Sequence, residues 1–162
     1  MIVNVSWRTE KTFLRPDPRK IRRLAQRIAE VAGSGLTGDQ SLGVSFLSSE
    51  KMAEVNWDFL THSGDTDVIC FDYRESSAPD DDAGVDILIC PAVALREAEK
   101  RDLPYAREIT LYLAHGLLHA AGYDDLQVNL KKKMRRAEKR VMTQIEQEFD
   151  LDSIFKLSTE ED

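Results

Sequence analysis

The hydrophobic and polar positions of the first half of the chain switch between the period of a strand and that of a helix. Residues Ile2–Trp7 alternate apolar and polar side chains, which predicts an opening strand. Asp17 then precedes Pro18, an arrangement typical of a helix N-cap followed by proline at the first helical position. The apolar positions that follow at helical spacing are Ile21, Leu24, Ile28 and Val31.

Three further apolar segments have the length of strands. Ser41–Ser48 predicts a second strand, and Ser48 or Ser49 then caps a helix. Thr66–Tyr73 has an almost continuous apolar centre, which predicts a strand buried on both faces. Val85–Cys90 predicts another short strand, after which Pro91 begins a helix that ends near Lys100.

The second half of the chain has mainly helical periodicity. Pro104 is expected to open a helix with almost no polar face, which places it centrally in the core and ends it at Gly122. A last helix is predicted from about Gln127 to Phe149. Together the patterns favour an α+β fold: a small mixed sheet of about four strands with helices packed on it.

Composition limits the class of protein without changing this fold. The 162 residues are 42% hydrophobic and 31% charged, as in ordinary globular domains. Residues 1–150 are therefore interpreted as a single domain, residues 151–162 as a frayed acidic tail, and the polar stretch 75–84 as a loop. The absence of a long apolar run or a leader-like N-terminus predicts a cytoplasmic protein without membrane contact, in which Cys70 and Cys90 are free thiols.

The formal charge of −7 is distributed unevenly along the sequence. Two segments are basic, one from Arg8 to Arg27 and one from Gln127 to Arg140, while acidic residues collect in the stretch 75–86 and from Glu146 to Asp162. A chain that is acidic as a whole can thus still present basic surfaces to a polyanion. From charge alone, solvated helix faces explain these segments equally well.

The central helix carries His115 and His119, two of the three histidines of the chain. Residues four apart lie on one face of a helix, so the two imidazoles can bind one ion. The glycine stop at Gly122 permits a reversal that would bring Asp124 or Asp125 to the same ion. Two histidines and one carboxylate leave a coordination position open, which is typical of a catalytic metal site. Core histidines with ordinary hydrogen bonds are the alternative.

Position 116 separates this pattern from that of the zinc peptidases. In their H-E-x-x-H motif the glutamate that follows the first histidine is the general base. Gly116 stands at that position and has no side chain that accepts a proton. The sequence therefore disfavours peptide hydrolysis.

The stretch AHGLLHAAGYDD resembles the H-G-x-L-H-x-x-G-Y-D-H signature of the YbeY family of metal-dependent, single-strand endoribonucleases linked to ribosomal RNA maturation. The segments NWDFLTHSGDTDVICFDY, GVDILIC and MRRAEKRVM are similar, in the same order, to other family motifs. The resemblance spans about Leu42 to Ile145. It implies an α+β fold with the metal-binding helix packed near a small mixed sheet.

The chain departs from the family pattern at three positions. Asp125 replaces the third histidine, so the implied ligands are His115, His119 and Asp125. One Zn²⁺ per chain is the expected cofactor. Because an aspartate makes the site less positive, other divalent metals are candidates as well. Leu60 stands where the family has an arginine, and Asp65 where it has a proline.

The resemblance implies an endoribonuclease that cleaves single-stranded RNA during ribosomal RNA maturation and ribosome quality control, with the small ribosomal subunit or its proteins as partners. Candidate catalytic residues are His62, which would replace the missing arginine in part, and Asp67; Asp86 is a further candidate for a supporting role. Basic residues on the first and last helices are candidates for binding RNA: Arg19, Lys20, Arg23, Lys131, Lys132, Arg135 and Arg136. The alternatives are a non-catalytic ribosome-associated protein with a structural metal, a zinc hydrolase of another substrate such as a peptide, and a metal-free helical core.

Overall fold

The computed structural model describes residues 1–62, 64, 66–75 and 83–159 of the chain. Its strands are β1 (Ile2–Arg8), β2 (Phe13–Leu14), β3 (Ser41–Leu47), β4 (Val68–Asp72), β5 (Val85–Ile89) and β6 (Lys156–Leu157). Four of them form the main sheet in the order β1-β3-β5-β4, in which only β4 is antiparallel to its neighbour. The prediction of a small mixed sheet of about four strands is confirmed.

The helices are α1 (Pro18–Ala32), α2 (Ser49–Leu60), α3 (Pro91–Arg101), α4 (Tyr105–Ala120) and α5 (Val128–Glu148). The predicted caps form as expected: the Asp17 carboxylate accepts a hydrogen bond from the amide of Arg19 at 2.8 Å, and the Ser48 hydroxyl accepts one from Lys51 at 3.2 Å. These bonds satisfy amides that have no partner inside their helices, so they fix where α1 and α2 begin.

Helix α4 lies at the centre of the core, as its apolar sequence predicts. Ile109, Leu113 and Leu117 are completely buried, and the helix packs against β4, β5 and three neighbouring helices. Gly116 permits this approach, because a Cβ atom at that position would lie 3.0 Å from two side-chain carbons of Ile87. The absence of a side chain at residue 116 therefore serves the packing of α4 on the sheet.

The interpretation of β4 as a strand buried on both faces is wrong. It lies at the edge of the sheet and pairs only with β5, so its apolar side chains are mostly half-buried and Ile69 alone is fully buried within it. An apolar run indicates a strand but does not show whether a second neighbour covers it.

The expectation of a frayed tail is wrong for residues 151–157. Leu151, Ile154 and Phe155 are buried, and β6 pairs antiparallel with β2. The Phe155 ring packs 5.9 Å from that of Phe46, so apolar burial fixes this segment despite the acidic residues around it. Residues 160–162, and residues 76–82 of the predicted loop, lie outside the described residues.

Cys70 and Cys90 form no disulfide, as predicted. In the part of the chain that the structure describes, none of the helices is long and apolar enough to cross a membrane.

Candidate metal centre

Helix α4 brings the two histidines of the motif together. His115 and His119 lie one turn apart, with their Nε2 atoms 3.0 Å from each other and their rings nearly perpendicular. The chain then reverses at Gly122, whose φ of 100° lies in a region that glycine adopts most readily. This reversal carries the Asp125 carboxylate to 3.5 Å from His115 Nε2 and 3.7 Å from His119 Nε2.

The two aspartates after the reversal have different contacts. Asp124 turns its carboxylate to the backbone and accepts hydrogen bonds from the amides of Asp125 and Leu126 at 2.6 and 3.0 Å. Asp124 thereby shapes the turn, whereas Asp125 joins the histidines. Spacing left Asp124 and Asp125 open as the third ligand, and of the two only the Asp125 carboxylate lies beside both histidines.

The three side chains fit a divalent cation. One ligand atom from each of His115, His119 and Asp125 lies within 4.8 Å of the others. Ligand atoms on a tetrahedral ion with bonds of about 2.0–2.2 Å are about 3.3–3.6 Å apart, close to the separations in this cluster. Two imidazoles and a carboxylate are also the donor set of many catalytic zinc sites.

Glu138 of α5 orients the ring of His115 through its Nδ1 atom. Its Oε2 atom lies 2.7 Å from His115 Nδ1, and Arg135 donates to the same carboxylate at 2.8 and 3.1 Å. Burial raises the pKa of Glu138, but the hydrogen bonds from His115 and Arg135 outweigh burial and hold the pKa below its ordinary value. An ionised Glu138 can only accept, so His115 donates from Nδ1 and its Nε2 atom is the one that would bind a metal.

The cluster opens into a cavity of about 730 Å³. Asp67, Arg135 and Glu138 line it beside the histidines, and Glu108 and Tyr112 line it farther along α4. Burial, and after it the Glu108 carboxylate, raise the pKa of Tyr112, so this phenol stays protonated. The cavity therefore has the candidate metal ligands at one end and neutral and charged polar groups beyond them.

The two candidate catalytic residues lie in different places. Asp67 lines the cavity with His115, and its carboxylate accepts a hydrogen bond from the amide of Val68 at 2.8 Å. His62 is exposed just after α2 and does not line the cavities that adjoin the histidines. Asp86 lies on β5 beside Gly43 and Tyr73, away from the metal ligands.

Leu60 lies beside the metal ligands, as its motif position implies. It lines a smaller cavity with His115, Gly116 and His119. An exposed apolar side chain thus occupies the side of the site where the family arginine is expected, whereas Asp65 lies outside the described residues.

The predicted RNA-binding residues are divided between two surfaces. On α5, Arg135 lines the metal cavity and Arg136 lines a different groove with Tyr123, Lys133 and Arg140. Lys131 and Lys132 are exposed. On α1, Arg19 is exposed, and Lys20 and Arg23 line a separate cavity that includes Glu148 and Asp150. Of these residues, Arg135 lines the cavity of the histidines, whereas Lys20 and Arg23 line a separate cavity.

Two buried glutamates were not among the predicted site residues. Glu138 lies within a strongly basic run, but it is four residues after Met134 and three before Val141 on the apolar stripe of α5. Glu108 likewise falls on a helix without a polar face. An acidic residue on the buried side of a helix is the signal that could have identified both.

Comparison with known proteins agrees with this geometry. A family model described as Endoribonuclease YbeY matches residues 5–146. The chain belongs to this family. It is 30% identical over 134 residues to Endoribonuclease YbeY of Salinibacter ruber, covering 80% of this chain and 83% of that protein. It is 31% identical over 141 residues to the protein of the same name from Phocaeicola vulgatus, covering 87% and 98%.

A solved structure supports the fold of this family member. The solution structure of TM1509 from Thermotoga maritima superposes with a TM-score of 0.54 at 20% identity and covers 89% of this chain and 93% of that one. The resemblance that the sequence motifs indicated is confirmed by the family match, and the α+β fold by this neighbour.

Proposed function

We propose that this YbeY-family protein is a metal-dependent endoribonuclease that cleaves single-stranded RNA in ribosomal RNA maturation and ribosome quality control. The observation that carries the proposal is the convergence of His115, His119 and Asp125 at one end of a substrate-sized cavity. The names of the relatives support RNA as the substrate. The partner would be the small ribosomal subunit or one of its proteins, in the cytoplasm where ribosomes mature.

His115, His119 and Asp125 would hold one divalent ion, with Zn²⁺ the first candidate. A bound ion of this kind polarises a phosphoryl oxygen and lowers the pKa of its water. Glu138 keeps the Nε2 lone pair of His115 directed at the site, and its own partner Arg135 presents a cation at the cavity wall. Aspartate in place of a third histidine makes the ligand set harder, which also suits Mn²⁺ or Mg²⁺.

Asp67 is better placed than His62 to move a proton. Its carboxylate lines the cavity with the metal ligands, whereas the imidazole of His62 is exposed outside it. Arg135 is the candidate nearest the metal ligands for neutralising a phosphate, because its guanidinium lines the same cavity. The remaining α5 cations, Lys131, Lys132 and Arg136, would hold the flanking RNA backbone.

The rival functions are less well supported by the site. A peptidase of the H-E-x-x-H type needs a carboxylate next to the first histidine, and position 116 packs against Ile87 with little room for one. A purely structural metal is usually enclosed by four protein ligands, whereas this cluster has three and faces a cavity.

Metal content and RNA cleavage, measured on the same preparations, test the proposal. Wild type should bind about one ion per chain and cleave labelled single-stranded RNA, and His119→Ala should lose both. His62→Ala should retain the metal, and its cleavage rate decides whether His62 takes part. Stoichiometric metal with no cleavage of any RNA would support the structural-metal alternative, and absence of metal from wild type would refute the site.

A further inference from the structure

The metal cavity is larger than an ion and its water require. Its volume of about 730 Å³ falls in the range of about 300–1,000 Å³ that holds small organic ligands. The part beyond the metal ligands, here called the distal end, is lined by Val93, Glu97, Arg101, Glu108, Leu111 and Tyr112. A substrate that reaches the metal therefore has room to place a further chemical group in the distal end.

Helix α4 forms one wall of both ends. Glu108, Tyr112, His115 and His119 follow one another at spacings of three or four residues, so they share a face of the helix. At 1.5 Å per residue, Glu108 lies about 10 Å along the helix axis from His115. That distance is enough for a nucleoside attached to a phosphate at the metal site.

Glu108 has a buried carboxylate oxygen that lacks a donor. The residue is 1% exposed, and within the described residues its Oε2 atom has no hydrogen-bond partner. The Tyr112 hydroxyl donates a hydrogen bond to this carboxylate, but a hydroxyl has one proton and cannot serve both oxygens. Arg101 approaches Oε1 at 3.7 Å, which is beyond an ordinary hydrogen bond of about 2.7–3.2 Å. A position in the first turn of α4 explains a negative charge there, but it does not explain the unpartnered oxygen.

A base with an amino group supplies the missing donor. Carboxylates of this kind accept hydrogen bonds from N4 of cytosine, whereas uracil presents an acceptor oxygen at the same ring position. Val93, Leu111 and the ring of Tyr112 add apolar surface, and Arg101 adds a cation that is largely exposed. We propose that the distal end is a nucleoside subsite in which Glu108 selects cytosine over uracil next to the scissile phosphate. This rests on the proposed RNA cleavage.

Binding of mononucleotides to metal-loaded protein tests the subsite directly. By isothermal titration, wild type should bind CMP about tenfold more tightly than UMP, the size of one base-specific hydrogen bond to a carboxylate. Glu108→Gln should reduce this ratio to about twofold or less, because an amide also donates to the uracil oxygen. Glu99→Gln makes the same charge change at an exposed position of α3 outside the cavity and should keep the wild-type ratio.

A third nucleotide keeps the test decisive if Glu108→Gln does not fold. N4,N4-dimethyl-CMP has no N4 donor, so wild type should bind it no more tightly than UMP. Equal affinity of wild type for CMP and UMP, or an undiminished preference in folded Glu108→Gln, would overturn the subsite. Cleavage of a uridine-only RNA by wild type separates the two proposals: it shows nuclease activity whatever the mononucleotide ratio is.

Discussion

Helices α1 and α5 carry similar basic runs, but they differ in what lies beside their exposed faces. The buried side of α5 contains Glu138, which bonds to His115, and Arg135 beside it lines the same cavity. On α1, Arg27 pairs with Glu148, and Lys20 and Arg23 share their cavity with acidic residues. A basic run in the sequence indicates an exposed helix face. The packing of the opposite face of that helix determines whether the basic residues adjoin a site.

The largest difference is expected between the acidic residues of these two helices. Glu138→Ala on α5 should weaken metal binding by about 10–100-fold, because His115 loses the group that fixes its tautomer. Glu30→Ala on α1 removes an exposed partner of Arg27 and should leave metal affinity unchanged. Competition with a metal-binding dye measures both. Equal affinities in the two variants would contradict the role of Glu138.

A cation placed opposite α5 should increase activity. Leu60→Arg adds a guanidinium on the other side of the metal ligands, where the family has arginine, and kcat/KM for single-stranded RNA should rise about tenfold. This tenfold gain in kcat/KM is smaller than the full effect of one preorganised donor, because the side chain at residue 60 is exposed. Leu60→Gln is the uncharged control. No gain from arginine would show that α5 alone supplies the cations the reaction uses.

The salt dependence of RNA binding should distinguish the two basic faces. In a His119→Ala background, replacing Lys131, Lys132 and Arg136 with alanine should reduce the slope of log K against log salt by about 2, at about 0.7 per phosphate contact. The matched triple replacement of Arg19, Lys20 and Arg23 should leave the slope unchanged. A larger change in the α1 triple would reverse the assignment of the RNA-binding face.

The smallest differences concern stability. Arg135→Met leaves the buried Glu138 with one donor fewer, so the melting temperature should fall by about 2–4 °C, corresponding to about 1 kcal/mol. Arg27→Met breaks an exposed ion pair and should leave the melting temperature nearly unchanged. Calorimetry of both variants tests the contrast. A larger decrease in Arg27→Met would mean that the α1–α5 ion pair is the more important of the two.

The elements and the closeness of the candidate metal ligands were predictable because their signals are local. Asp17 and Ser48 cap helices within three residues, and the spacing of His115, His119 and Gly122 encodes most of the ligand geometry. The choice of Asp125 over Asp124 needed the structure or a family motif, since both follow the same turn.

The remaining features depend on contacts between distant parts of the chain. The edge position of β4 follows from strand order, and the order of the segment around Phe155 follows from contacts with residues such as Phe46, more than a hundred positions earlier. The partnership of Glu138 with His115 likewise joins two helices. Local periodicity cannot specify such pairs. The segment around Phe155 therefore resembled part of a frayed tail, and Glu138 resembled an ordinary surface charge.

The most direct test of the metal centre is a crystal structure of metal-loaded protein with anomalous scattering recorded at the absorption edge of the metal. We expect one ion within about 2.3 Å of Nε2 of His115, Nε2 of His119 and one carboxylate oxygen of Asp125, with a further position open to the cavity. An ion bound elsewhere, or one bound by the histidines while Asp125 stays away from it, would contradict the proposed metal centre.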